Sequence, residues 1–557
     1  MAPQLQINQG PQDALLFDNT RSYFTNVGYS RTSNFQMELR DIDPQSGANL
    51  GSTVSFVMPK AADLLGPVDL MIEFNEPDTT SSGASPGVDK YWGWVESVGY
   101  AMIEKITFTV GNHDVEELSG ENLNIMNELM KAEQHRNGFH HILKTGRPLL
   151  RQKMLGEPNG SGLAAQDTYN TDIDENTHDR IIAFGTTAKK GKKLIIPLGL
   201  FFTSHPSKYF PLCSVAGCND VRISVKFRPI NELIMGFGGY TPKVGTGGGV
   251  INPATAAGDA NLSTIKFKGN GGAFASKGCF LRCHYIHVTG PEATALMNRE
   301  HVRLMKLWNG NMIEKQFTVS CTRTGSSATL DIPLNFLHPV QELIITIRKV
   351  SDMGSSVTTS VNIGTGAKAN ANVGQAKNYF AYHGAGKDPN IDSWHNCVAE
   401  TGTSESSRPT YLKTTNFLLK LNGQSRHLDG AGIDRNYMMN RMMPMLHSSA
   451  SEEYSKLSGS SALGGDADFD MLSQMKDRKE IYCYPFALNP EGANPSGSVN
   501  FSKVSHAQLS IGVEGFAPGI KDSTTANSTT DEYVVNVHGV YYNWLAIKDG
   551  RALTSFS

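Results

Sequence analysis

Strict alternation of apolar and polar side chains limits the folds open to this chain more than any other feature. Val221, Ile223, Val225 and Phe227 alternate with Arg222, Ser224, Lys226 and Arg228, and Pro229 ends the run. Tyr482, Tyr484, Phe486 and Leu488 alternate in the same way, as do Ala507, Leu509, Ile511 and Val513 against Gln508, Ser510 and Gly512. A period of two puts one set of side chains on each face of an extended segment, so these runs predict half-buried strands. Val54, Phe56 and Met58, then Leu70, Ile72 and Phe74, then Ile106, Phe108 and Val110 repeat the pattern, as do Phe317, Val319 and Cys321. Phe417, Leu419 and Leu421 lead into Asn422-Gly423, a favoured hairpin turn, and a last strand runs from about Tyr533 to Ile547. The fold class that follows is all-β, built of sheets with one dry and one wet face.

One segment departs from that period. Leu123, Met126, Leu129 and Met130 share a face at helical spacing behind Ser119, a good N-cap, and such a stripe reads as core. At 557 residues the chain exceeds what one hydrophobic core usually supports, so two domains are expected. Residues 1–40 read as an N-terminal arm and 41–235 as a first all-β domain. Residues 236–275, rich in Gly, Ala, Thr and Asn, read as a Gly-rich linker or surface loop, and 276–557 as a second all-β domain starting near Cys279. A long insertion at about 351–409, low in apolar residues, and a shorter one at 156–180 are loops of the length that is usually functional or disordered.

The composition excludes several functions. A net charge of -3 with no basic tail leaves no stripe for displacing counterions from nucleic acid, so no direct nucleic-acid contact is expected. Arg222, Lys226 and Arg228 on one strand face read as a solvated face or a subunit contact. The most apolar run, 194–202, has nine residues interrupted by Pro197, far short of a bilayer span. The polar start carries neither a signal core nor a myristoylation glycine, which points to synthesis and assembly in the cytosol. Seven cysteines do not make a disulfide framework. Cys213 with Cys218, and Cys279 with Cys283, lack the C-x2-C spacing of a zinc knuckle and read as buried structural thiols.

No catalytic residue emerges. His140-His141 lacks the HExxH spacing, no Gly-x-Ser-x-Gly elbow is present, and Asp466, Asp468 and Asp470 start a calcium-loop pattern that Met471 breaks. No enzyme activity, cofactor or metal is expected. Asn159, Asn261, Asn500 and Asn527 stand in Asn-x-Ser/Thr contexts, and a cytosolic route argues against their glycosylation.

Several separated motifs resemble, in order, those of the major capsid proteins of nucleocytoplasmic large DNA viruses. They are Gly10-Pro-Gln-Asp13, Arg31 to Glu38, Val98 to Lys105 with the helix at 119–135, and Ile196 to Phe202 with Phe210-Pro-Leu212. Arg228 to Ile234, Leu334-Asn-Phe-Leu-His-Pro-Val-Gln-Glu-Leu-Ile344, Pro495-Ser-Gly497 with Asn500-Phe-Ser502, and Tyr541-Tyr-Asn-Trp-Leu545 complete the set. Ser33 stands where many relatives carry His, and the 196–202 stretch has no Trp. The resemblance implies two tandem eight-stranded jelly rolls, a double jelly roll with a few short helices in loops. It also implies a structural protein that homotrimerises into pseudo-hexagonal capsomers tiling an icosahedral shell, in contact with neighbouring capsomers and with minor capsid or cement proteins. Contact with the internal membrane layer would be indirect, and the location would be the virion. The alternative is a carbohydrate-binding or host-attachment β-sandwich, in which Tyr379, Phe380, Tyr382 and Trp394 of the long insertion would stack on sugars.

Overall fold

The alternating run at Val221–Phe227 sits at the centre of a sheet, and its neighbours show how the first half is built. The computed structural model describes residues 34–75, 77–78, 91–95, 97–130, 181–184, 187–188, 193–215, 217, 220–237, 266–267, 273–298, 300–308, 312–322, 325–350, 379–380, 382, 411–427, 430–447, 480–492, 494–516, 529–548 and 550–555. The strands of the first half are β1 (Phe35–Ile42), β2 (Thr53–Val57), β3 (Leu64–Phe74), β4 (Ile103–Val110), β5 (His113–Leu118), β6 (Lys193–Pro197), β7 (Val221–Phe227) and β8 (Phe274–Val288). One sheet runs β1-β8-β3-β6, with Phe210–Pro211 also on β3, and the other runs β2-β7-β4-β5, all antiparallel. Phe56, Phe108, Val110, Ile223, Val225, Leu70, Ile72, Leu194 and Leu281 are buried between them. Phe108 anchors this core, 5.2 Å from the ring centroids of both Phe202 and Phe210.

Helix α1 (Gly120–Met130) lies over one end of this sandwich. Ser119 Oγ accepts from the Asn122 N–H at 3.2 Å, the cap expected of it. Leu123 and Leu129 are buried. The helix approaches the 196–202 stretch closely at Gly199, where a Cβ would stand 2.9 Å from Met126 Sδ. The part of the expected helix beyond Met130 lies outside the described residues.

After α2 (Gly290–Asn298) the second half comprises β9 (His301–Trp308), β10 (Ile313–Cys321), β11 (Ser326–Pro333), β12 (Pro339–Lys349), β13 (Tyr411–Leu421), β14 (Ile481–Pro485), β15 (Ala507–Phe516), β16 (Thr529–Lys548) and β17 (Arg551–Thr554). One sheet contains β10-β16-β12-β14, with β9 and β17 also on the 20-residue β16; the other runs β11-β15-β13 and continues to Gln424–Ser425. Numbered from β1, the first half has the order 1-8-3-6 in one sheet and 2-7-4-5 in the other; numbered from β10, with Gln424–Ser425 as the fifth strand and β9 as an addition at the side of β16, the second half has the same order. That order is the winding of a jelly roll, and it occurs twice. Asn422 (φ 51°) and Gly423 (φ 80°) make the two-residue turn after β13, as the sequence predicts.

Three expectations need correction. The second block does not begin near Cys279, because β8 pairs with β1 and β3 and is the eighth strand of the first sandwich. Alternation shows that a segment is a strand but not which sheet it returns to after a long excursion. The expected arm at 1–40 overlaps β1, which is already in register with β8 from Phe35. Finally, the half-buried strand Tyr482 to Leu488 ends at Pro485 and is buried on both faces, while Leu488 is 88% exposed. Residues 156–180 and most of 236–275 and 351–409 lie outside the described residues, as do Cys218, His140-His141, Trp394 and Asp466 to Asp470.

Candidate functional site: the seam between the sandwiches

The sheet containing β12 has two different faces. Leu343, Ile345 and Ile347 of β12, with Val535 and Val537 of β16, point into the second sandwich. Thr346 and Arg348, with Asn536 and His538, occupy the opposite face. By alternation this second face should be wet, yet all four residues are buried, because the first sandwich covers it. The acidic partner is Glu121 in the first turn of α1, where a carboxylate also meets the positive end of the helix dipole.

Arg348 Nη2 donates to Glu121 Oε2 at 2.9 Å, Thr346 Oγ1 donates to Oε1 at 2.9 Å, and Asn536 Nδ2 donates to Oε2 at 3.0 Å. His538 Nε2 stands 3.5 Å from Oε1. Burial by itself would raise the Glu121 pKa; the nearby Arg348 and His538 and the donated hydrogen bonds outweigh it and hold the group at about 2. A buried carboxylate with a full set of donors joins two elements firmly, whereas the same group with a partner removed is costly. The network extends further: Arg348 Nη1 donates to Tyr379 O at 3.1 Å, Tyr379 OH donates to Glu232 Oε2 at 2.9 Å, and the Arg228 guanidinium lies 4.6 Å from the Tyr379 ring centre.

Polar contacts elsewhere also tie the halves together. Ser214 Oγ donates to Leu296 O at 2.8 Å, Arg303 Nη1 donates to Tyr209 O at 2.9 Å, and His113 Nε2 lies 2.9 Å from Thr554 Oγ1. Near the seam Glu116 is buried with the Phe201 N–H donating to it at 2.8 Å; desolvation raises its pKa to about 8 despite that bond.

The motifs singled out in the sequence form one structural knot in the second sandwich. Asn500 Oδ1 accepts from Ser502 N at 3.1 Å, capping a short turn, and Ser502 Oγ accepts from His338 N at 3.0 Å. Phe336 and Phe501 pack edge to face at 5.8 Å, and His338 stacks on Tyr541 at 5.1 Å. Asn500 is thus a capping residue. Tyr379, Phe380 and Tyr382 are buried against the seam, so these three offer no surface on which a sugar could stack. The basic face of β7 is neutralised locally, with Arg222 2.7 Å from Asp220, Lys226 2.7 Å from Glu104 and Arg228 3.9 Å from Glu232. Cys279 and Cys283 are buried on β8 and desolvation raises both to about 12, so they remain thiols. Cys213 is half-buried elsewhere, in a 3-10 turn beside Ser214.

The largest apolar exposure on one described element is on β1, where Phe35, Met37 and Leu39 are 66%, 57% and 58% exposed on alternating positions. Among the described residues β1 is also the edge of its sheet. A free edge carrying an apolar row is a surface that soluble chains normally cover.

Two family descriptions match this chain. The "major capsid protein N-terminus" matches residues 22–254, and the "large eukaryotic DNA virus major capsid protein" matches residues 470–552. The chain is 22% identical to the major capsid protein of Phaeocystis pouchetii virus, over 98% of each chain. It is 26% identical to that of Paramecium bursaria Chlorella virus 1 over 46% of this chain and 50% of the other. Among solved structures, the Faustovirus major capsid protein superposes with a TM-score of 0.55 at 11% identity, covering 95% of this chain and 93% of that one. The PBCV-1 VP54 chain fitted into a reconstruction of the virophage Sputnik gives 0.54 at 16% identity, with 96% and 100% covered. These likenesses are to double jelly-roll folds.

Proposed function

The chain belongs to the major capsid proteins of large eukaryotic DNA viruses, and on that footing we propose that three copies close into a pseudo-hexagonal capsomer. The observation that carries this reading is the repeated strand order. Two alike sandwiches per chain, locked by the Glu121 network, give a threefold ring six similar columns. Closed cyclic symmetry then lets one pair of surfaces serve every contact in the ring. The seam fixes the angle between the sandwiches within a chain, and that angle must be constant for a ring to close. We take the boundary between the sandwiches to lie between β8 and β9, at α2.

The role is structural, and we assign the chain no catalysis. Capsomers would tile the virion shell after assembly in the host cytoplasm, meeting neighbouring capsomers and minor capsid proteins, with no direct hold on nucleic acid. The burial of Tyr379, Phe380 and Tyr382 weighs against the carbohydrate-binding alternative, and a glycan array comparing wild type with Trp394→Ala tests what is left of it. Solution mass decides the main proposal. The purified protein should have about three times the 60.6 kDa mass of the chain, with hexagonal outlines in electron micrographs. A stable monomer at high concentration would overturn it.

A further inference from the structure

We propose that Glu342, His447 and Cys483 form a buried zinc site on the face of the β12 sheet turned away from the core of the second sandwich. One donor atom from each of the three residues lies within 4.8 Å of the other two, and all three residues are buried. Two come from paired strands. Cys483 of β14 is opposite Ile344 of β12 and Glu342 is opposite Pro485, so Glu342 and Cys483 share a face as diagonal neighbours. The third arrives from 105 residues away, with His447 Nε2 3.1 Å from Glu342 Oε2. His447 follows a helical stretch, Arg435 to Leu446, that includes a π-turn at Met438–Met442. Its N–H donates to Met443 O at 3.0 Å, which closes the last turn and leaves the residue extended. No spacing motif in the sequence could join these positions.

The donor set selects the ion. Thiolate, imidazole and carboxylate together are the ligands of zinc, whereas magnesium and calcium take oxygen alone. A thiolate and a carboxylate carry two negative charges, which a dication cancels inside the protein. The outer ring nitrogen is also provided for: Glu491 Oε1 lies 3.3 Å from His447 Nδ1, the carboxylate partner that orients a metal-bound imidazole. Lys306 holds the loop that carries Glu491, donating to Pro490 O at 2.6 Å and to Gly492 O. A fourth donor is close. β12 is irregular between Val340 and Glu342, and the Gln341 amide nitrogen lies 3.5 Å from the second Glu342 oxygen. Gln341 is 1% exposed and, among the described residues, its Oε1 has no hydrogen-bond partner, so an oxygen beside the cluster is open to a ligand.

The competing account is a metal-free cluster, a buried imidazolium held by Glu342, Glu491 and the Cys483 side chain. The two accounts separate in the full-length protein, whether trimeric or monomeric. Protein purified without chelator and dialysed into metal-free buffer should retain one zinc per chain by elemental mass spectrometry. Cobalt exchanged into the site should give a thiolate-to-cobalt charge-transfer band. Cys483→Ser and His447→Gln should lose that band and the zinc, while Cys321→Ser, at a buried thiol on β10, should keep both. Glu491→Gln should keep the stoichiometry but weaken zinc affinity about tenfold or more. Wild type that holds no zinc and does not bind added zinc would overturn the proposal, as would a Cys483→Ser protein that keeps the cobalt band. Should a variant fail to fold, the metal content and cobalt spectrum of wild type still decide.

Discussion

Two buried glutamates in the first sandwich respond to pH in opposite directions, and their neighbours explain why. Glu121 faces Arg348 and three hydrogen-bond donors or cationic groups, so its folded pKa of about 2 lies below its ordinary 4.5. Its contribution is present above pH 4.5 and is lost as pH falls from there toward 2. Among the described residues Glu116 has one backbone donor and no cation against it, so burial wins and its folded pKa of about 8 lies above 4.5. The fold binds that proton more tightly than the unfolded chain, so stability falls as pH rises from 4.5 to 8. Glu116→Gln should flatten this neutral limb in chemical denaturation at several pH values and leave the acid limb in place. Glu121→Ala strands the Arg348 charge in the seam and should cost about 3–5 kcal/mol by the same measurement. Replacing both Glu121 and Arg348 with apolar residues should cost less than the single change, because no lone charge remains.

At the scale of elements, two segments carry sharp demands. The loop between β14 and β15 turns at Gly497, whose φ of 134° suits glycine and whose Cβ, if present, would stand 2.9 Å from Phe486 O. Gly497→Ala should therefore destabilise the fold by at least about 1–3 kcal/mol, read as a lower thermal midpoint, whereas Gly290→Ala, with open space around it, should change little. Strand β1 bears its exposed row of Phe35, Met37 and Leu39 at a sheet edge. If that edge is a contact between copies, Met37→Glu with Leu39→Glu should leave the chain folded but weaken trimerisation at least tenfold in sedimentation analysis. Unchanged assembly would move the contact to another surface.

For the whole molecule, the seam decides whether two sandwiches behave as two bodies or as one. A buried network spanning α1, β12, β16 and Tyr379 couples them, so calorimetry of wild type should show one transition. Glu121→Ala should split it into two, as each sandwich then melts on its own core. The same rigidity serves a shell, where any play between the sandwiches would be multiplied around the ring.

The all-β class, the strands at Val221–Phe227 and Ala507–Phe516, the Ser119 cap and the Asn422-Gly423 turn were legible in the sequence, because each rests on spacing within a few residues. The pairing of β8 with the first sandwich was not, since a strand's period does not name its partner across a long excursion. Nor was the seam. Thr346, Arg348, Asn536 and His538 occupy positions that alternation marks as wet, and only the approach of a second sandwich takes them out of water. Glu342, Cys483 and His447 likewise converge from paired strands and a helix end spread over more than a hundred residues of chain. Local patterning thus determined which segments extend and which side faces a core. Tertiary structure alone decided which polar side chains meet, because burial of a second face depends on how the two sandwiches pack rather than on any one strand.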